Sequence, residues 1–125
     1  MEQYDQKSEL FINAVGDNDL KKVKFYVKKK SVNPSYDNNL AIRIAVEDGL
    51  DEIFHYLLTE IIIDFSLNNF YLLKQSLYFQ NKNIYLKIIS ILSNTHNLNQ
   101  EWLNIHIENT QQRQSIKAFL NINYF

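Results

Sequence analysis

Ala45-Val46-Glu47-Asp48-Gly49-Leu50-Asp51-Glu52-Ile53-Phe54-His55-Tyr56-Leu57-Leu58 is the stretch that decides how this chain folds. Ala41, Ile42, Ala45 and Val46 form one apolar stripe before Gly49, and Ile53, Phe54, Leu57 and Leu58 form another after it. Two stripes at helical spacing, parted by a residue that takes positive φ without a Cβ clash, predict helix, tight turn, helix. The stretch is also a copy. Ala14-Val15-Gly16-Asp17-Asn18-Asp19-Leu20-Lys21-Lys22-Val23-Lys24-Phe25-Tyr26-Val27 stands 31 residues earlier with a similar apolar run. The same step carries Val32-Asn33-Pro34-Ser35-Tyr36-Asp37-Asn38-Asn39 onto Ile63-Asp64-Phe65-Ser66-Leu67-Asn68-Asn69-Phe70. It carries Ile53-Phe54 onto Ile84-Tyr85 and Leu57-Leu58 onto Ile88-Ile89, and one step further it reaches Ile116 and Phe119-Leu120.

An interval in this range marks stacked repeats. One helical hairpin cannot bury its stripe alone, but three or four leaning on one another can. The expected fold is therefore all-α, a solenoid of about four stacked helix-turn-helix units in a single domain spanning 1–125. The units are placed at about 9–30, 37–61, 68–92 and 99–121, with 122–125 as a tail. The small Ala14 and Ala45 favour close approach of neighbouring helices. Asp37, Asn38 and Asn39 precede a helix, where short polar side chains are expected to cap its free amides. Val32-Asn33-Pro34-Ser35 reads as a non-helical connector, because proline keeps the residue before it out of the α region.

Composition narrows the function classes. With 125 residues and 46% hydrophobic content there is enough apolar surface for a core. A net charge of −1 gives no general attraction to nucleic acid or anionic membrane. The absence of cysteine excludes disulfide scaffolds, thiolate zinc sites and cysteine nucleophiles. The opening Met1-Glu2-Gln3-Tyr4-Asp5 is acidic and polar, unlike a secretory signal. The apolar stretch from Ile53 to Phe65, broken by His55, Glu60 and Asp64, is too short and polar to span a bilayer. The expected location is cytoplasmic.

The segment Ala45 to Leu58 resembles the second-helix pattern of the ankyrin repeat, Ala-Ala-x-x-Gly-His-x-Glu-Val-Val-x-x-Leu-Leu. Asn33-Pro34-Ser35-Tyr36-Asp37-Asn38-Asn39-Leu40-Ala41-Ile42-Arg43 is similar to a shortened form found in large arrays of amoebae and giant viruses. The usual ankyrin period is about 33 residues, so the resemblance implies a connector two residues shorter. The match is specific in the second unit, fair in the first and degenerate in the third and fourth. The family's Thr-Pro-Leu-His signature is replaced by Leu40-Ala41-Ile42-Arg43 and by Tyr71-Leu72-Leu73-Lys74, so its hydrogen-bond network is absent or rebuilt. Ser76 stands for Ala45 and Gln80 for Gly49, which predicts a looser turn in the third unit. The fourth unit, from Glu101-Trp102-Leu103 to Phe119-Leu120, lacks the glycine and is expected to act as a C-terminal cap, with the tail either covering the last helix pair, the simpler reading, or adding to a self-association surface.

No residue set offers a nucleophile, a base and an orienting partner together, so an enzyme is not expected. His55, His96 and His106 lack metal-ligand spacing, and no phosphate-binding glycine loop or nucleophile elbow occurs, so neither a metal nor a cofactor is expected. Asp48, Asp51 and Glu52 read as a solvated turn and helix start, where the helix dipole favours acidic groups. The run Lys21 to Lys30 has two readings. As a solvated amphipathic face it is ordinary; as a phosphate-binding face it would use Lys21, Lys24 and Lys28 on nucleic acid.

The ankyrin resemblance implies a protein-binding module that uses connector tips and first-helix faces. Carried over by register, these are Tyr36, Asp37, Asn39, Glu47 and Asp48 in the second unit, and Leu67, Asn68, Phe70, Tyr78 and Phe79 in the third. The aromatics of the third unit are either interface or the core of an irregular repeat; Phe11, Phe54, Tyr85 and Phe119 read as core. The expected activity is that of a stoichiometric inhibitor or adaptor, including, by analogy, a viral or phage antagonist of a host protein. The partner is another protein, with nucleic acid as the alternative and no membrane. Monomer and homodimer both remain open.

Overall fold

Each helix begins where a short polar side chain or a left-handed residue redirects the chain. The computed structural model describes the backbone of residues 5–123, and the side chains of residues 5–118 and 120. Those residues are helical with no strand: α1 Gln6–Gly16, α2 Leu20–Lys28, α3 Tyr36–Asp48, α4 Asp51–Glu60, α5 Leu67–Tyr78, α6 Lys82–Ser93, α7 Gln100–His106 and α8 Thr110–Asn123. None of the described helices is long and apolar enough to cross a membrane. The chain divides into two compact units, Met1–Ile63 and Asp64–Phe125.

In the first unit Asp5 caps α1 by accepting from the Ser8 N–H at 2.9 Å, and the Ser8 hydroxyl donates back to the same carboxylate. Asp19 caps α2 through the Lys22 N–H. α1 packs on α2 and α3, and α4 packs on α2 and α3. Phe11, Val15, Ile42, Val46, Ile53, Phe54 and Leu57 are fully buried, so the two stripes read from the sequence form this core. Ala14, Ala41 and Ala45 are buried as well. Their small side chains suit the close approach of α1 to α3.

In the second unit α5 packs on α6 and α7 on α8. Ile84, Ile88, Ile89 and Leu92 line the buried face of α6 at the spacing of one helix side. Ser76 occupies the alanine position at full burial, and its hydroxyl donates to the Leu73 carbonyl at 2.7 Å. A buried hydroxyl with a partner avoids most of the desolvation penalty. Tyr85, expected as core, is half-buried, and the Phe119 side chain lies outside the described residues. α8 continues helical through Asn123, past the start of the expected tail, and residues 124–125 lie outside the described residues.

The backbone repeats more faithfully than the side chains. Asn18, Gly49 and Gln80, each 31 residues apart, close the turn between paired helices with φ of 55°, 70° and 59°. Gln80 therefore makes the same left-handed turn as Gly49 rather than a looser one, at a cost of roughly 1–2 kcal/mol for a residue with a Cβ.

A second recurrence lies at the start of α3 and α5. Asp37, Asn38 and Asn39 have φ of 53°, 54° and 61°; Asn68, Asn69 and Phe70 have 53°, 55° and 60°. Each triplet follows a matching turn, in which the Ser35 N–H donates to Asn33 Oδ1 and the Ser66 N–H to Asp64 Oδ1, both at 2.9 Å. The expected capping role of Asp37, Asn38 and Asn39 is corrected by their backbone: all three are left-handed within α3, not in the extended conformation typical of a capping residue. Asn and Asp are used for their tolerance of the left-handed region. Arg43 reaches back and donates to the carbonyls of Asp37 at 2.8 Å and Asn38 at 3.1 Å. This supplies hydrogen bonds where the Thr-Pro-Leu-His signature is missing.

Candidate functional site

The residues selected by register fall into different environments. In the first unit Asp37 and Asp48 are exposed, while Tyr36, Asn39 and Glu47 are half-buried. Asn39 Oδ1 is buried without a hydrogen-bond partner. In the second unit Asn68 is exposed and Leu67 is 61% exposed. Phe70 is only 5% exposed, which removes its ring from any contact surface. It packs edge-on against Trp102 and His106, each with ring centroids 4.8 Å away, and against His96 at 5.5 Å. His106 Nδ1 lies 3.2 Å from Asn69 Oδ1. Burying a phenyl ring stabilises by about 1.5–3 kcal/mol, which matches or exceeds the roughly 1–2 kcal/mol of its left-handed backbone.

Tyr78 and Phe79 are exposed, as their register implies. They end α5 with 70% and 46% exposure, their rings edge-to-face at 5.0 Å. They stand at the opposite end of α5 from Leu67 and Asn68, so the five residues chosen in this unit do not form one patch. Tyr78 borders a cleft of about 430 Å³ shared with Gln80, Lys82, Tyr85 and Gln112. It also borders a second cleft of about 350 Å³ shared with Lys74, Gln75, Asn109 and Gln112. Asn109 just before α8 and Gln112 in its first turn thus bring amide side chains beside Tyr78. The sequence reading missed them, although Asn109-Thr110-Gln111-Gln112 is an amide-rich run that marks the place. Ile62 and Tyr71 are also exposed and were not singled out.

The proposed lysine trio is divided by its surroundings. Lys28 Nζ pairs with Glu60 Oε1 at 2.6 Å, and Lys24 Nζ lies 5.5 Å from the centre of the Tyr56 ring. The hydrogen bond from Lys28 holds the Glu60 carboxyl below its ordinary value. Burial, then the nearby Glu60 charge, pushes the Tyr56 phenol up to about 12. The Tyr56 hydroxyl is buried and forms no aligned hydrogen bond, so Glu60 acts on it mainly through charge. Lys21 is exposed.

No protein-family model, curated protein or solved structure matches this chain.

The chemistry of the site therefore rests on its own residues. His55 is exposed, its Nδ1 2.7 Å from the Asp51 carbonyl, while His96 and His106 flank Phe70. Among the described residues no three His, Asp or Glu side chains are grouped to hold a metal ion. The second unit presents two exposed aromatic rings, and the clefts beside Tyr78 are lined by amides together with Lys74, Lys82 and Glu108.

Proposed function

We propose that this chain is a non-enzymatic, ankyrin-like repeat protein that acts in the cytoplasm by occupying a partner protein's surface. The exposed Tyr78-Phe79 pair beside the amide-lined clefts carries the reading. Aromatic residues that can be desolvated at the centre of an interface often dominate binding energy. Asn109 and Gln112 have the donors and acceptors to pair with a partner's backbone around them. The recurrence of left-handed turns at Asn18, Gly49 and Gln80 supports the repeat assignment, since equal turns at equal steps are what stacked hairpins require. A preformed face of this kind loses little ordering entropy on binding, which suits a stoichiometric inhibitor or adaptor, including a viral or phage antagonist of a host protein.

Affinity capture followed by calorimetry with the recovered protein tests this. The Tyr78→Ala/Phe79→Ala variant should bind about thirtyfold to a thousandfold more weakly, as expected for two aromatic anchors worth about 1–2 kcal/mol each. Equal affinity in a double variant with an unchanged circular dichroism spectrum removes the proposed face.

A further inference from the structure

α2 carries a second surface whose chemistry differs from that of the aromatic face. Six lysines lie between Lys21 and Lys30, and the first unit uses two of them, Lys24 and Lys28, against Tyr56 and Glu60. Phe25 stands on the exposed side of the same helix, three residues from Lys28. It is 44% exposed although it stands one residue from half-buried Tyr26, which it meets edge-on at 5.3 Å. Lys21 and Lys29 flank it at four residues on either side and Lys22 at three, the spacings that put side chains on one helix face. All three are exposed, and none forms an ion pair among the described residues. Lys30 Nζ lies over the Phe25 ring, 5.7 Å from its centre. Asp19, the cap of α2, is turned onto the helix end and accepts from the Lys22 N–H.

We propose that this face binds single-stranded nucleic acid, with Phe25 stacking on an unpaired base and Lys21, Lys22, Lys29 and Lys30 on the flanking phosphates. An exposed aromatic ring within a basic patch is the combination that holds single strands without reading their sequence. A duplex offers the ring no free base face. An anionic lipid surface calls for a broad apolar helix face. Here Leu20, Tyr26 and Val27 are half-buried and Val23 is buried, leaving Phe25 as the one large apolar side chain on the exposed side of α2. This inference is independent of the Tyr78-Phe79 reading.

Fluorescence anisotropy of the full chain tests it, using labelled single-stranded RNA and DNA of about 12 nucleotides at about 50 mM salt. The expected result is binding whose log–log salt slope is about −2 to −3, as three to four neutralised phosphates require. Lys21→Glu/Lys22→Glu/Lys29→Glu should abolish binding. Phe25→Ala should weaken it about tenfold and Phe25→Trp should retain it, because stacking needs only a π face. Lys24→Ala should leave affinity within about twofold, since that ammonium faces Tyr56. All replaced side chains are exposed, and circular dichroism checks folding. No binding to either strand, an unchanged affinity for Phe25→Ala, or stronger binding to a duplex or to phosphatidylserine vesicles overturns the proposal.

Discussion

The two left-handed triplets, Asp37-Asn38-Asn39 in the first unit and Asn68-Asn69-Phe70 in the second, follow the same backbone path with different supports. In the first unit the residues themselves tolerate the conformation, and Arg43 ties down the carbonyls they leave pointing outward. In the second, a bulky residue sits where only small polar ones are at ease, held by Trp102, His96 and His106 around its ring. One solution is local; the other depends on a helix some thirty residues away. A shared backbone step can therefore outlast the residues that make it easy to recognise.

The sharpest way to break this comparison is at Phe70. Phe70→Ala should destabilise the protein by about 3–5 kcal/mol, because the cavity remains and the left-handed strain is kept. Phe70→Gly should cost about 1 kcal/mol less than the alanine variant, the reverse of the order inside an ordinary helix. Urea unfolding of both variants distinguishes the two, and an alanine variant more stable than the glycine variant would mean that the backbone there is not left-handed.

A smaller effect compares the inter-helix turns. Gln80→Gly should stabilise by about 0.5–1 kcal/mol, the relief of strain exceeding the added freedom of the unfolded chain. Gly49→Ala should destabilise by about 1 kcal/mol. Thermal melts of the two variants moving in the same direction would show that these turns are not equivalent.

The smallest effect is electrostatic. Glu60 in the first unit is held low by Lys28, and Asp64 in the second by the Ser66 hydroxyl and N–H. Each folded pKa lies below its unfolded value, so each contribution is complete above the ordinary carboxylate range and is lost as pH falls through the folded value. Glu60→Gln and Asp64→Asn should each flatten the fall in stability on acidification while changing little near neutrality. An acid limb as steep as that of the unsubstituted protein argues against the pairing at that site. Asp64 is exposed and the Lys28 partner of Glu60 is 60% exposed, which keeps the effect small.

Much of the helical content could be read from the residues. The stripes around Gly49 place α3 and α4, and the burial of Ala14, Ala45, Ile53 and Leu57 follows their spacing. The left-handed triplets were not legible, because Asn-Asn before an apolar run also signals an ordinary cap, and only the backbone separates the two. Register alone puts Phe70 at the surface; the rings that bury it come from the loop after α6 and from α7, at no fixed interval. The candidate site was half legible. Tyr78 and Phe79 are exposed as their register implied, whereas the amides beside Tyr78 come from Asn109 and the first turn of α8, where the period has lapsed. The sorting of lysines also required the fold, since Lys24 and Lys28 differ from Lys21 only in facing Tyr56 and Glu60 across the hairpin.

Ser76 carries a further consequence. Because its hydroxyl is answered by a carbonyl one turn back on the same helix, the neighbouring packing need not register whether that site holds serine or alanine. Genetic drift can cross this position in either direction without disturbing the spacing of the helices. A lineage built on such exchanges can shed its recognisable letters one by one while each generation inherits an unchanged architecture.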